Sequence, residues 1–211
     1  STAITETGVL TVAGTSTFTV DTVQQADVLL DIEPNDLAGA VTITTINGGT
    51  IRDVGLRNIN PSANLVGVPT ILRNLTIIFD NAGVNLPLTT LTGNLAVYAG
   101  GGPITQSDVL TVAGTSFLAA NANSITLTNV NNDFGGTVSL FTLATTNPAI
   151  TGLNPASITD INGVDLGPAV IPATVAAVLP ANPFTDGSYS VDGFDHGTVS
   201  VYGHLSVVAE A

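Results

Sequence analysis

The 211-residue sequence predicts an all-β fold, a right-handed parallel β-helix (β-solenoid). Three observations carry that expectation. Residues 9–16, Val-Leu-Thr-Val-Ala-Gly-Thr-Ser, recur unchanged as residues 109–116, and Ile-Thr precedes each copy, at Ile4-Thr5 and Ile104-Thr105. Thr, Asn, Gly, Val, Leu and Ala dominate, a composition of pleated strands joined by tight turns. Apolar residues alternate with polar ones in runs of four or five, and nowhere recur at helical spacing with caps. A repeat this clean decides architecture before any single element does. Coils of roughly 20 to 25 residues give about nine to ten rungs, a rod on the order of 45 Å long at about 4.8 Å per rung. The right hand follows from the handedness of parallel crossovers. A β-sandwich is the alternative; its strand spacing is similar, but it leaves the hundred-residue duplication without a reason.

The elements follow in order. Val9-Leu10-Thr11-Val12 and Thr17-Phe18-Thr19-Val20 alternate, with Leu10, Val12, Phe18 and Val20 facing in and Thr11 facing out. Residues 28–32 and 40–44 form a second pair around a turn at 33–39. The second copy has strands at 125–128 and 137–140, and Asn-Asp-apolar-x-Gly recurs at Asn35 and Asn132. Short runs centre on Ile51, Leu56, Ile59 and Leu65. Strands at 75–79 and 95–98 follow, the latter ended by Gly100-Gly101-Gly102. The later half runs through Ile158, Ile161, Val164 and Leu166, then meets four prolines between 168 and 183. Proline cannot donate to a sheet ladder, so that stretch reads as an inserted loop or lid, with room for one short helix. Strands at 199–201 and 205–208 close the sequence. Two units result, 1–103 and 104–211, the second carrying the insertion at 168–183.

Residues 203–209, Gly-His-Leu-Ser-Val-Val-Ala, resemble residues 93–99, Gly-Asn-Leu-Ala-Val-Tyr-Ala. The earlier of these leads into Ile104-Thr105, so the C-terminal residues read as the natural predecessor of Ile4-Thr5. The expectation is head-to-tail stacking, or a piece of a longer tandem series. Ile4, Leu10 and Val12 at one end and Leu205 and Val207 at the other are the candidate self-association seam. The first residue is Ser rather than Met, which suits a processed product or an excised piece.

Charge excludes some partners. Lysine is absent, Arg52, Arg57 and Arg73 are the only arginines, and the formal net charge is −13, which repels nucleic acid and anionic membranes. Without cysteine there is no disulfide and no thiolate metal site. No apolar run is long enough to span a bilayer as a helix. His196 beside Asp195 and near Asp192 reads as a turn, as does His204, which occupies the place of Asn94. Asp31, Glu33 and Asp36, with Asp133 repeating Asp36, read as a structural turn, because no calcium-binding nonapeptide or EF-hand loop is present. No catalytic, cofactor-binding or metal-binding residue is expected, and Asn74-Leu75-Thr76 is a sequon at the head of a strand.

Ile104-Thr105-Gln106-Ser107 with residues 110–115, residues 125–136, and Leu75-Thr76-Ile77-Ile78-Phe79-Asp80-Asn81-Ala82 leading to residues 91–95 resemble the repeats of large secreted bacterial adhesins of the filamentous haemagglutinin type. The resemblance covers most of residues 1–150. It implies a long right-handed β-helix exported by two-partner secretion, an extracellular or cell-surface location, and work as a fibre or adhesin. The partners it implies are further units of the same kind and a host-cell or glycan receptor. The family's amino-terminal secretion domain is not recognisable, and the proline-rich stretch departs from the pattern. Two other functions are compatible with such a fold. A polysaccharide-active β-helix enzyme needs clustered carboxylates facing basic groups. An ice-binding solenoid needs a flat threonine face repeated rung after rung, and the Thr motifs at 15–19 and 42–44 do not repeat at coil spacing.

Overall fold

The computed structural model describes residues 3–21, 25–142, 156–161, 164–167, 169–171, 199–201 and 205–209. Among them every regular element is a strand and every ladder is parallel, so the fold is a β-solenoid and not a sandwich. A long face stacks nine strands: Ala3–Thr5, Gln25–Leu30, Thr50–Asn58, Asn74–Phe79, Leu95–Ala99, Ser116–Ala120, Val138–Phe141, Ala169–Ile171 and Val199–Val201. A second face stacks Ser16–Val20, Ala40–Thr45 and Asn64–Gly67, then Val84–Leu86, Ile104–Gln106, Ile125–Leu127, Ala156–Asp160 and Leu205–Ala209. Asn64–Gly67 lies against Val84–Leu86, which joins the two ladders into one face. Short strands occupy the corners. Thr11–Val12 and Asp36–Leu37 pair before the second face, whereas Ile71–Leu72, Thr89–Leu91, Leu110–Val112 and Asp133–Phe134 pair after it.

The chain makes about six turns between Ala3 and Phe141. Even spacing holds only in the middle. Val54 pairs with Leu75, Leu75 with Leu95, Leu95 with Ser116 and Ser116 with Val138. Beyond that, Phe141 pairs with Val170 and Ala169 with Val199, so each later step consumes 29 or 30 residues.

Alternation explains the core. On the long face Leu30, Leu56, Ile77, Val97, Leu118 and Leu140 stand in one inward column, each at most 1% exposed. The second face supplies Val41, Ile43, Ile104, Ile125, Leu127 and Ile158 from across the core. Burying one such side chain stabilises by about 1.5–3 kcal/mol. The core is one cluster that runs through residue 103 without a break.

Three local readings change. The turn at 33–39 contains the strand Asp36–Leu37, and Leu37 is fully buried. Ile32 is not in a strand; it is 73% exposed because Asp31 already opens the corner. Ala169–Ile171, inside the stretch expected as an insertion, is a strand of the long face, and residues 172–183 lie outside the described residues.

Candidate assembly edge

The duplicated sequence builds the same corner twice. In the first copy the Asn35 amide oxygen accepts from the Leu10 N–H at 2.8 Å, and its NH₂ donates to the Leu30 carbonyl at 3.1 Å and to Glu6 Oε2 at 2.6 Å. In the second, the Asn132 amide oxygen accepts from the Leu110 N–H at 3.0 Å, and its NH₂ donates to the Leu127 carbonyl at 3.3 Å and to Gln106 Oε1 at 2.8 Å. A third rung repeats as well: Asn58 Oδ1 accepts from Leu37 N–H and Asp160 Oδ1 from Phe134 N–H, both at 3.1 Å. Asn35, Asn58, Asn132 and Asp160 are all fully buried, so these bonds satisfy backbone groups that water cannot reach.

The two corners stand on different faces. Ile4 belongs to the long face and Ile104 to the second. Between them the long face recurs at Gln25–Leu30, Thr50–Asn58, Asn74–Phe79 and Leu95–Ala99, so the repeat advances by four and a half turns.

The duplication is an internal control for the end of the rod. Leu110 and Val112 are each 1% exposed, because Thr89–Leu91 covers one side and Asp133–Phe134 the other. Leu10 and Val12, in the identical octapeptide, are only partly buried, because Thr11–Val12 pairs with Asp36–Leu37 alone. Ile4 and Phe18 are partly buried for the same reason: Ala3–Thr5 and Ser16–Val20 each have a single neighbour. A Cβ on Gly114 would lie 2.6 Å from the Gly93 carbonyl oxygen, whereas one on Gly14 would meet nothing within 4 Å. Ile4, Leu10 and Val12 therefore share one open edge. Among the described residues Leu205–Ala209, which carries Leu205 and Val207, pairs only with Ala156–Asp160.

The three arginines are spent between rungs. Arg52 Nε donates to Asp27 Oδ1 at 2.9 Å, Arg57 Nη2 to Asp80 Oδ2 at 2.7 Å, and Arg73 Nε to Asp53 Oδ1 at 2.9 Å. The hydrogen bond to Asp27 leads in holding the Arg52 guanidinium above its usual range, and bonds to Asp80 and Asp53 do the same for Arg57 and Arg73. Burial works to raise the Asp53 carboxyl, but Arg73, Asn74 and Arg52 together outweigh it and hold it below the usual range. Sequence reasoning missed these pairs, and it missed Glu6, whose Oε1 accepts from Ile32 and Glu33 N–H groups at 2.9 and 2.7 Å. Asp36 Oδ1 accepts from Asn60 Nδ2 at 2.6 Å. Among the described residues no three His, Cys, Asp or Glu side chains converge as metal ligands. A shallow recess of about 180 Å³ lies where the two ladders of the second face meet, between Leu65 and Val84. His196, His204 and Asp192 lie outside the described residues.

The threonine motifs differ from expectation. Thr17 and Thr19 stand directly opposite Thr42 and Thr44 on adjacent rungs. The array stops there, since Gly67 faces Thr42 after a register shift.

Residues 1–44 and 72–141 match a family described as repeats of unknown function (DUF5649). The chain belongs to this repeat family. The matched segments contain both octapeptides and both buried asparagines, Asn35 and Asn132, so the family covers the corner that the structure shows twice. No curated protein and no solved structure matches the chain.

Proposed function

We propose that the protein is a structural element of an extracellular or bacterial cell-surface fibre, built by end-to-end continuation of its solenoid. The open edge supports this reading: Leu110 and Val112 are buried where a rung covers them, and Leu10 and Val12 of the identical octapeptide are partly exposed where none does. Covering Ile4, Leu10, Val12 and Phe18 removes apolar surface from water at about 25 cal/mol per Å² and pairs a strand edge that is otherwise open. Its action is mechanical and interfacial rather than catalytic. The resemblance of residues 104–115 and 125–136 to filamentous-haemagglutinin-type repeats supports a surface adhesin as the larger assembly. A host-cell or glycan receptor is then the outer partner, contacted through exposed corners such as those around Ile32, Val130 and Ile161.

Negative-stain electron microscopy across concentration tests this. The expected result is uniform threads that lengthen with concentration, and their loss in Leu10→Asp and Leu205→Asp. Short separate rods at every concentration would count against fibre formation by this chain.

A further inference from the structure

The two copies of the repeat part company at outward positions. After the shared Ser16 and Ser116, the first copy continues Thr17-Phe18-Thr19-Val20 and the second Phe117-Leu118-Ala119-Ala120. The inward positions stay apolar, as the core requires, whereas the outward Thr17 and Thr19 give way to Phe117 and Ala119. Phe117 is 48% exposed, so its ring stands half in water rather than in the core.

Parallel pairing gathers more rings around it. Ile78, Tyr98, Ala119 and Phe141 stand in register in one outward column of the long face. Phe117 stands in the adjoining column, and its ring centroid lies 5.1 Å from that of Phe141, the planes tilted by 35°. Tyr98, Phe117 and Phe141 therefore occupy three successive rungs around the small side chain of Ala119.

This strip is uncharged. Asn74–Phe79, Leu95–Ala99, Ser116–Ala120 and Val138–Phe141 contain no Asp, Glu, Lys, Arg or His. Arg57, the next residue of the column before Ile78, is already paired with Asp80. A polyanion gains nothing from such a surface and meets a formal charge of −13 on the rest of the molecule. A protein partner needs about 800 Å² on each side, and two columns over four rungs cover roughly 200 Å². A neutral glycan fits both limits. Its pyranose rings offer flat C–H faces to aromatic rings and carry hydroxyls at their edges. The Tyr98 hydroxyl, and that of Ser139 opposite Phe117, supply hydrogen-bonding groups beside the rings.

Resting on the surface-adhesin reading above, we propose that this strip is a binding site for a neutral glycan, its sugar rings stacked on Tyr98, Phe117 and Phe141. The site lies on the long face, apart from the exposed corners, and involves neither end of the rod.

Affinity gel electrophoresis against soluble β-glucan, mannan and galactan tests it, with polygalacturonate as the acidic comparison. The chain is expected to be retarded by at least one neutral polymer and not by polygalacturonate. Phe117→Thr installs the residue that the first copy carries at the matching outward position, and its urea midpoint is expected to be unchanged. It is expected to weaken binding about tenfold or more, whereas Phe117→Tyr, which keeps a ring, retains it. Ile32→Ser removes an exposed apolar side chain from a corner and is expected to leave binding intact. No retardation by any neutral polymer, equal retardation by polygalacturonate, full binding by Phe117→Thr, or loss in Phe117→Tyr or Ile32→Ser overturns the site. Altered thread formation in Phe117→Thr assigns the strip to contact between copies and overturns it as well. Threads and binding are read on the same preparations. Binding without threads removes the fibre and keeps the glycan site; threads without binding do the reverse.

Discussion

A buried amide with four bonds is worth more than its size. Asn132→Ala removes the acceptor of the Leu110 N–H, a fully buried donor that then has no water to turn to. The expected cost is about 2 kcal/mol, read as a lower urea midpoint. Asp53 gives a pH signature. Its folded carboxyl sits below its unfolded value, so it contributes stability above roughly pH 4 and loses that contribution as acid protonates it in the fold. Asp53→Asn is expected to flatten the stability curve below pH 4, measured by thermal unfolding across pH. The arginines, already raised, titrate outside that window. The buried asparagines were legible because Asn-Asp-apolar-x-Gly recurs. Their partners were not, since Glu6 and Gln106 differ in charge, as do Asn58 and Asp160, while filling the same place.

Strands are legible by their alternation, and the strong runs at 75–79 and 95–98 became Asn74–Phe79 and Leu95–Ala99. The face a strand belongs to is not. Both faces demand the same inward-outward pattern, so Ile4 and Ile104 look equivalent in sequence and stand on different faces. Coil length carries similar information. Arg52 pairs with Asp27, Arg73 with Asp53 and Arg57 with Asp80 across 25, 20 and 23 residues, separations that mean nothing until the turn length is known. The corners rely on backbone lying on backbone. A Cβ on Gly136 would stand 2.4 Å from the Gly114 carbonyl oxygen. Gly136→Ala is therefore expected to destabilise by about 1–3 kcal/mol, seen in urea unfolding.

At the scale of the whole molecule, shape and charge oppose each other. Every copy carries a formal charge of −13, and stacking brings these charges together. Screening should relieve the repulsion while leaving apolar contact intact. Raising ionic strength from about 20 mM, a Debye length of roughly 20 Å, to about 300 mM is expected to lengthen threads, as followed by light scattering. Shortening with added salt would mean that ion pairs, not apolar ladders, hold the seam. The half-turn in the repeat has one more effect. The two copies of the octapeptide display the same exposed residues, Thr15 and Thr115, on opposite flanks of the rod. The two copies then stand about four and a half turns apart along the rod, roughly 22 Å. A ligand with two short arms must grip both flanks to gain from avidity, whereas a flat carpet of receptors meets one copy from one side.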